Sequence, residues 1–402
     1  MYTLRFCLKS FFLLFLFSCQ SQVSNQAPVH IANSLPQELI LGAERVSEYG
    51  DMLRGKRVGI VANQTSVVKN VHLVDTLLRS GIDVRCVFSP EHGFRGDADA
   101  GESVASGKDA ATGLTLISLY GKNKKPLAQQ LQDLDILVFD IQDVGARFYT
   151  YISTLHYVME AAAENNKQVL VLDRPNPNGH YVDGPVRQEG YTSFVGMHPI
   201  PIVHGMTIAE YALMFNGESW LANGMKCDLS VVLSLNYSHS TPYVLPVAPS
   251  PNLRTAEAIA LYPSLCLFEG TVLSEGRGTD FPFELFGHPK LPDSIYSYAF
   301  TPVAGFGSNY PKLENQLCHG LKLSDQAKGI DALNIEWIIE AYAHYPGQDF
   351  FITKNRWFDL LAGGPGLRTQ ISQGKTAEEI RASWQEDLDA FKHIRSKYLR
   401  YD

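Results

Sequence analysis

The chain has 402 residues, of which 45% are apolar and 19% are charged. A single hydrophobic core stops growing at about 250–300 residues, so this length predicts a globular protein with two domains. The net charge is −8, and no run of lysine or arginine is longer than Lys124-Lys125. A protein of this charge has no basic field that would attract nucleic acid, so a nucleic-acid partner is not expected.

The N-terminus has the pattern of an export signal. Two basic residues precede the apolar run Phe11 to Phe17, which is too short to span a bilayer. Leu16-Phe17-Ser18-Cys19 resembles the bacterial lipobox, in which the cysteine receives lipid. We therefore predict a lipoprotein signal peptide at residues 1–18, a lipid on Cys19 and a flexible tether at 19–35. The protein would then be exported and held on the membrane by its lipid, facing the periplasm.

The first half of the exported chain alternates between predicted strands and helices. Apolar runs predict strands at 57–62, 84–88, 136–141 and 168–173, and helical periodicity predicts helices at 71–79 and 150–165. This alternation is typical of a parallel, doubly wound sheet. We predict an α/β, Rossmann-like domain over residues 36–245.

The second half is less regular. Thr207 is predicted to cap a helix that runs to Asn216, and a strand is predicted at 229–235. A segment rich in Pro, Ser and Asn follows, and it predicts a domain boundary. Residues 246–402 are predicted to form a smaller α+β domain that borders the cleft. Its last element is predicted to be one helix, beginning at a Thr376–Glu379 capping box and carrying an apolar stripe of Ile380, Trp384, Leu388, Phe391, Ile394 and Tyr398.

Several common sites are missing from the sequence. No G-x-G-x-x-G follows a strand, and the P-loop, G-x-S-x-G and H-E-x-x-H motifs are absent. The sheet is therefore predicted to lack a nucleotide site, and no cofactor or metal is expected. The four cysteines beyond Cys19 show no CxxC spacing, which favours buried thiols over disulfides or zinc. These cysteines are Cys86, Cys227, Cys266 and Cys318.

Polar, turn-rich segments follow each of the four strands, at 63–65, 89–92, 142–147 and 174–179. In a parallel sheet these segments meet at one edge, where ligands bind. The second is the most informative, because it places Glu91 and His92 directly after a buried strand and between a proline and a glycine that shape the loop. We therefore predict a cleft at this edge.

The cleft loops carry carboxylates, aromatic rings and amides, a composition that suits sugars. Glycosidic bonds are cut by paired carboxylates, one of which gives a proton to the leaving oxygen. The candidate carboxylates are Glu91, Glu102, Asp143, Asp173, Glu269 and Glu275. The candidates for substrate binding are Asn63, Asp143, Arg147, Tyr149, Asn176, His204, Asn252 and Arg277. Tyrosines could stack on a sugar ring and arginines could pair with an anionic group, although helix packing and structural ion pairs explain the same residue types.

Six motifs together carry a resemblance to a known family. They are Pro90-Glu-His-Gly-Phe-Arg-Gly96, Asp140-Ile-Gln-Asp-Val-Gly-Ala-Arg-Phe-Tyr-Thr-Tyr151, Leu172-Asp-Arg-Pro-Asn-Pro177, His204-Gly-Met-Thr-Ile208, Pro249-Ser-Pro-Asn252 and Ser274-Glu-Gly-Arg-Gly-Thr279. From about Gly42 to the C-terminus the chain resembles the bacterial exo-β-N-acetylmuramidases, long described as a domain of unknown function. One departure is Asn252-Leu253-Arg254, where Asn-Met-Pro is expected.

The resemblance implies release of N-acetylmuramic acid from the non-reducing ends of peptidoglycan fragments. It also implies a Rossmann-like N-terminal domain, a smaller C-terminal domain and Glu91 as the leading catalytic residue. We interpret Glu91 as the general acid, positioned by His92, with Glu275 or Glu269 as the second carboxylate. Arg147 is the first candidate for the lactyl carboxylate of N-acetylmuramic acid, and Arg277 is the second. Two alternatives stay open, an esterase or amidase on the same polymer and a non-catalytic lipoprotein that binds muropeptides.

Overall fold

The computed structural model of the protein describes residues 1, 38–91, 93–95 and 107–402. The predicted signal peptide, the tether, Cys19, His92 and Glu102 lie outside the described residues. In the part of the chain that is described, no helix is both long and apolar enough to cross a membrane. Residues Glu38–Asp402 belong to one compact unit. The boundary predicted at residue 246 stays a prediction.

The strands and helices have the following bounds. The strands are β1 (Arg57–Ala62), β2 (Val67–Val68), β3 (Val71–His72), β4 (Asp83–Ser89), β5 (Gly107–Lys108), β6 (Thr115–Ser118), β7 (Ile136–Asp140), β8 (Gln168–Leu172), β9 (Asp228–Val232), β10 (Leu285–His288), β11 (Tyr298–Phe300) and β12 (Cys318–Lys322). The helices are α1 (Val46–Leu53), α2 (Leu73–Arg79), α3 (Ala128–Leu131), α4 (Tyr151–Glu164), α5 (Ile208–Gly217), α6 (Ala256–Leu265), α7 (Glu336–His344), α8 (Trp357–Ala362), α9 (Gly366–Ser372), α10 (Ala377–Ala382) and α11 (Gln385–Ser396).

A seven-stranded sheet in the order β5-β6-β4-β1-β7-β8-β9 forms the centre of the N-terminal half. Its neighbouring strands are parallel except for the β5–β6 pair at one edge. In β7, Ile136 and Val138 belong to one hydrophobic core, while Leu137 and Phe139 belong to another. Both faces of the sheet are therefore covered, as a doubly wound α/β fold requires. The predicted fold class is confirmed.

The C-terminal part contains a smaller antiparallel sheet, β10-β12-β11, and the helices α7 to α11. The prediction of one final helix is wrong, because the chain leaves helical geometry at Trp384 between α10 and α11. The indole Nε1 of Trp384 donates to Asp183 Oδ1 at 3.2 Å, and this long-range bond draws the residue out of a continuous helix. The capping box at Thr376 and Glu379 is present.

The four cysteines of the described chain are free and buried, namely Cys86, Cys227, Cys266 and Cys318. Cys86 lies in β4, and burial raises the pKa of its thiol to about 12. The thiol therefore stays protonated near neutral pH and acts as a small apolar group in the core.

Candidate functional site

A cavity of about 1040 Å³ lies where the carboxyl edge of the large sheet meets the C-terminal part. Glu91 lines it from the N-terminal side, just beyond β4. Glu269, Glu275 and Arg277 line it from the segment between α6 and β10. The structure therefore brings together Glu91 and both predicted partner carboxylates, although they are far apart in sequence. Tyr149 lines the same cavity, as predicted.

Two contacts fix the segment that follows β4 and carries Glu91. At its start, Gly93 has a φ of +78° and its amide donates to Pro90 O at 3.2 Å, a turn that a side chain at this position would strain. Further along, Arg95 makes a bidentate ion pair with Asp109, with nitrogen–oxygen distances of 3.0 and 2.9 Å. Arg95 holds the pKa of Asp109 at about 2, so this anchor is charged over the physiological range.

Two tyrosine hydroxyls lie close to Glu91. Burial raises the pKa of Tyr120, and the carboxylate of Glu91, to which its hydroxyl is hydrogen-bonded, raises it further. The positive charge of Arg277, on the opposite side of the cavity, lowers the pKa of Tyr120 slightly against these two effects. Burial likewise raises the pKa of Tyr151, with a contribution from Glu91. We call Glu91, Tyr120, Tyr149 and Tyr151 the N-terminal wall.

The opposite side of the cavity is built from paired charges. Arg277 Nη2 donates to Glu269 Oε1 at 2.7 Å, and its Nε lies 3.3 Å from Glu275 Oε1. Burial alone would lower the pKa of Arg277, but the two carboxylates raise it. Lys312 Nζ lies 2.7 Å from Glu275 Oε2. We call Glu269, Glu275, Arg277 and Lys312 the C-terminal wall.

Lys312 acts on Glu275 as a charge and not as a hydrogen-bond donor. Its ammonium group has three protons, and it donates to the carbonyl oxygens of Phe268, Thr271 and Leu273 at 2.8, 3.2 and 2.6 Å. Glu275 is only 2% exposed, and its Oε2 accepts no hydrogen bond from the described residues. Glu275 thus has a nearby cation together with one oxygen whose lone pairs are unused.

Aromatic rings line the floor of the cavity. Tyr149 and Tyr151 pack edge to face with ring centroids 4.9 Å apart, and Tyr262 packs against Tyr149 at 5.7 Å. The hydroxyl of Tyr149 donates to Pro249 O at 2.8 Å. Tyr149 therefore packs against neighbouring residues and also lines the cavity, so helix packing and sugar binding are both compatible with its position. Its ring offers an apolar face to a sugar.

Arg147 lies outside the cavity, and its predicted role is corrected. Its side chain is fully buried, and its guanidinium donates to the carbonyl oxygens of Pro185 and Ile200 at 2.7 Å and of Leu361 at 2.8 Å. Burial lowers its pKa to about 9. A guanidinium used in this way joins three chain segments and has no access to a substrate carboxylate.

Two predicted asparagines also have structural roles. Asn176 Nδ2 donates to Met206 O, and its Oδ1 accepts from the amide of Asn178. Asn252 Nδ2 donates to Gly307 O at 2.6 Å and holds in place the hairpin that lines the cavity. Neither side chain lines the cavity, so the predicted contacts of these amides with substrate are corrected to support of its walls.

Asp143, His204 and Asn63 are buried behind the tyrosines. Asp143 Oδ2 accepts from the amide of Gly145 at 2.7 Å, and His204 Nε2 lies 3.8 Å from the same oxygen. Burial raises the pKa of Asp143 to about 7 and lowers that of His204 to about 3, so neither group favours its charged form. Asn63 accepts two bonds from Thr65. None of the three side chains lines the cavity, so their predicted contacts with substrate stay predictions.

Sequence reasoning missed Tyr120 and Lys312. Tyr120 follows β6, a short parallel strand in the stretch between the predicted strands at 84–88 and 136–141, where no strand is predicted. A strand prediction at Leu116 and Ile117 would have indicated Tyr120, because residues that follow a parallel strand lie at the ligand-binding edge of the sheet. Lys312 follows Pro311 in a segment without periodicity, so no sequence signal marked it. Among the described residues, no group of three metal-ligating side chains could hold a metal ion.

The fold and the site define an α/β protein with a carboxylate-lined cavity at the carboxyl edge of a parallel sheet. The chain belongs to the exo-beta-N-acetylmuramidase NamZ family, whose N-terminal domain matches residues 58–257 and whose C-terminal domain matches residues 260–401. The predicted family is confirmed.

The relatives agree with this assignment. The chain is 42% identical over 377 residues to the peptidoglycan beta-N-acetylmuramidase NamZ of Bacillus subtilis strain 168, covering 88% of this chain and 89% of that protein. Two crystal structures of DUF1343 family proteins from Bacteroides fragilis NCTC 9343 are similar to it. The first has a TM-score of 0.83 and 46% identity, covering 91% of this chain and 99% of its own. The second has a TM-score of 0.77 and 32% identity, covering 90% of this chain and 99% of its own.

Proposed function

We propose that the chain is an exo-acting glycoside hydrolase that releases N-acetylmuramic acid from the non-reducing ends of peptidoglycan fragments during cell-wall turnover. The observation that carries this proposal is the presence of Glu91, Glu269 and Glu275 in one cavity. Paired carboxylates are the groups that glycosidic bond cleavage requires. The family and the relative from Bacillus subtilis support the choice of sugar and polymer.

Glu91 is the general acid in this proposal. It lies on the wall whose other polar groups are tyrosine hydroxyls, and the hydroxyl of Tyr120 fixes the orientation of its carboxyl group. As the glycosidic bond breaks, Glu91 gives its proton to the leaving oxygen, and positive charge develops on the sugar ring. His92 keeps its predicted role of positioning Glu91.

Glu275 is the second carboxylate in this proposal. Lys312 and Arg277 lie beside its carboxylate, and among the described residues no donor makes a hydrogen bond to its Oε2. A fixed negative charge at this place stabilises the positive charge of the transition state. Glu269 is the less suitable group, because its Oε1 is already hydrogen-bonded to Arg277.

Arg277 takes over the role first predicted for Arg147. Among the described residues, its contacts with Glu269 and Glu275 use Nη2 and Nε, so Nη1 is left for a substrate. The lactyl carboxylate distinguishes N-acetylmuramic acid from N-acetylglucosamine, and a guanidinium is suited to a carboxylate. We propose that Arg277 recognises this group.

We further propose that the protein is an exported lipoprotein, anchored through Cys19 and facing the periplasm. The motivation is the lipobox-like Leu16 to Cys19 sequence behind a short apolar run. Cys19→Ser is expected to move the protein from the membrane to the soluble fraction. A Cys19→Ser protein that stays membrane-bound would contradict the lipid anchor.

Product analysis tests the proposed function. The protein is incubated with N-acetylmuramyl-N-acetylglucosamine and with a peptidoglycan fragment that bears stem peptides, and the products are identified by mass spectrometry. Free N-acetylmuramic acid is the expected product, and the matching disaccharide with a terminal N-acetylglucosamine should remain intact. Release of peptide would indicate an amidase, and release of an acyl group would indicate an esterase. Binding without any product would indicate a muropeptide-binding lipoprotein.

A further inference from the structure

A second cavity of about 470 Å³ lies beside the candidate active site. We propose that it binds the saccharide chain on the leaving-group side of the bond that is cleaved. This inference rests on the proposed function and extends it from the terminal sugar to the rest of the substrate. The saccharide chain continues beyond the terminal sugar, so part of a long substrate has to lie at or beyond the rim of the catalytic cavity.

The two cavities share their walls. Arg277 lines the first cavity, and the residues that follow it, 278–281, line the second. In the same way 305–306 line the second cavity and 307–310 line the first. This second wall is a tight hairpin, since Gly305 and Ser308 exchange backbone hydrogen bonds of 3.0 and 2.9 Å. A chain that leaves the first cavity across this narrow hairpin enters the second.

The lining of the second cavity suits a saccharide. Sugar sites combine aromatic faces, which stack on the ring, with polar groups that bind hydroxyls. Here the aromatic residues are Phe281, Tyr298, Phe300 and Phe306, and the polar and charged ones are Arg254, Thr279, Asp280 and Thr301.

The shared hairpin exposes large apolar side chains. Phe306 is 66% exposed, Tyr310 is 92% exposed and Val303 is 52% exposed. Isolated exposed apolar residues are ordinary, but a group of them at the rim of a cavity is typical of a binding surface. Phe306 and Tyr310 face different cavities from the same hairpin, so together they can contact consecutive sugars.

Arg254 adds a positive charge to the second cavity. It is the third residue of Asn252-Leu253-Arg254, where the expected motif Asn-Met-Pro has proline, and it lines the second cavity. Its Nε donates to Pro251 O at 2.7 Å, which fixes the base of the guanidinium. N-acetylmuramic acid recurs along a peptidoglycan chain, so the leaving fragment carries carboxylates that a guanidinium can bind. Asp280 lines the same cavity, but its side chain is acidic and does not bind a carboxylate.

Substrate length tests the proposal. The ratio of kcat/KM on a peptidoglycan oligosaccharide to kcat/KM on a chromogenic N-acetylmuramide is measured for the wild type, Phe306→Ala and Arg254→Ala. Loss of a stacked ring or of a charged donor should lower this ratio about five- to tenfold. Leu317→Ala is the matched control, because Leu317 is 57% exposed and lines neither cavity. A ratio unchanged in both test variants would overturn the proposal.

A binding measurement separates this proposal from the proposed function. The leaving fragment, an oligosaccharide that begins with N-acetylglucosamine, is titrated calorimetrically into the wild type and the same variants. Phe306→Ala should weaken its binding about tenfold whether or not the enzyme cleaves either substrate. Equal affinity in wild type and Phe306→Ala overturns the second site. A wild type that binds the fragment but cleaves neither substrate overturns the proposed function and leaves the second site supported.

Discussion

The carboxyl groups on the two walls of the cavity have different electrostatic environments. The N-terminal wall places Glu91 among tyrosine hydroxyls, and the C-terminal wall places Glu269 and Glu275 against Arg277 and Lys312. The neighbours of Glu91 on its wall are neutral hydroxyls, and the neighbours of Glu269 and Glu275 on theirs are cations.

This difference assigns the roles. Glycosidases need one carboxyl group that donates a proton and another that stays ionised, and the environments of the two groups decide which is which. The sheet edge supplies the first group, and the irregular segment between α6 and β10 supplies the second. Exchanging the environments should therefore impair catalysis more than it impairs folding.

The largest effect is expected from Glu91→Gln. Glutamine keeps the shape of the side chain but has no acidic proton, so kcat on a natural disaccharide should fall about a hundredfold or more. The loss should be smaller on a nitrophenyl muramide, because nitrophenol leaves without protonation. Steady-state kinetics on both substrates checks this.

Two outcomes would change the role of Glu91. An equal loss on both substrates would make it the nucleophile or base, and a fully active variant would remove it from the mechanism. Thermal unfolding of the variant serves as the control for folding, since Glu91 is only partly buried.

A smaller effect is expected from Arg277→Lys on the C-terminal wall. Lysine keeps the positive charge beside Glu275 but cannot form the same two-pronged contact with a carboxylate. The preference for muramides over the matching glucosaminides should fall roughly ten- to hundredfold, since a charge-assisted hydrogen bond contributes about 1.5–3 kcal/mol. Selectivity is measured as the ratio of kcat/KM on the two chromogenic sugars. An unchanged ratio would exclude Arg277 as the carboxylate receptor.

Tyr120→Phe should have a smaller effect still. It removes the hydroxyl that binds Glu91 and leaves the ring, so kcat should fall about tenfold and KM should change little. A residue that acts through Glu91 should also shift the pH profile of kcat, so that profile is measured for both proteins. An unchanged kcat would mean that only the ring of Tyr120 matters, because phenylalanine keeps that ring and lacks only the hydroxyl. Tyr342→Phe, outside the cavity, is the matched control.

The sequence was sufficient for the parallel sheet and for Glu91, because both depend on local patterns. Strand β1 begins and ends where its apolar run does, and Glu91 follows the next strand of the same kind. The edge rule for parallel sheets then places Glu91 in a cleft without knowledge of any contact.

The sequence was not sufficient for the roles of Arg147 and Lys312. Both are cations in loops, and what separates them is distance in three dimensions. Arg147 donates to Leu361 O, which is 214 residues away, and Lys312 lies beside Glu275 in a segment with no periodicity. Long-range contacts of this kind leave no mark on local residue spacing, so the sequence alone predicts a substrate ligand for an arginine in a cleft loop.

The smallest effect on turnover is expected from Asp143→Asn, which extends the comparison to a fourth carboxyl group. Asp143 is buried on the N-terminal side, and burial raises its pKa from 3.8 to about 7. A raised pKa stabilises the fold below pH 3.8, where the group is protonated in both states, and this contribution is lost as the pH rises toward 7. Asparagine is neutral at every pH and still accepts from Gly145. The variant should therefore gain stability over the wild type as the pH rises from about 4 to 7, with a plateau above that, on the order of 2–4 kcal/mol.

Urea unfolding of both proteins at pH 4.5 and pH 8 checks this, with Asp109→Asn as a control of opposite sign. Arg95 lowers the pKa of Asp109 to about 2, so its ionised form stabilises the fold above the ordinary carboxyl pKa. Asp109→Asn should therefore be less stable than the wild type at pH 8, where Asp143→Asn should be more stable. If Asp143→Asn were instead less stable than the wild type at pH 8, the folded protein would have to stabilise the ionised carboxylate of Asp143 rather than penalise it. A cation would then have to compensate it, as Lys312 and Arg277 do for Glu275, and the contrast between the two walls would not extend below the tyrosines.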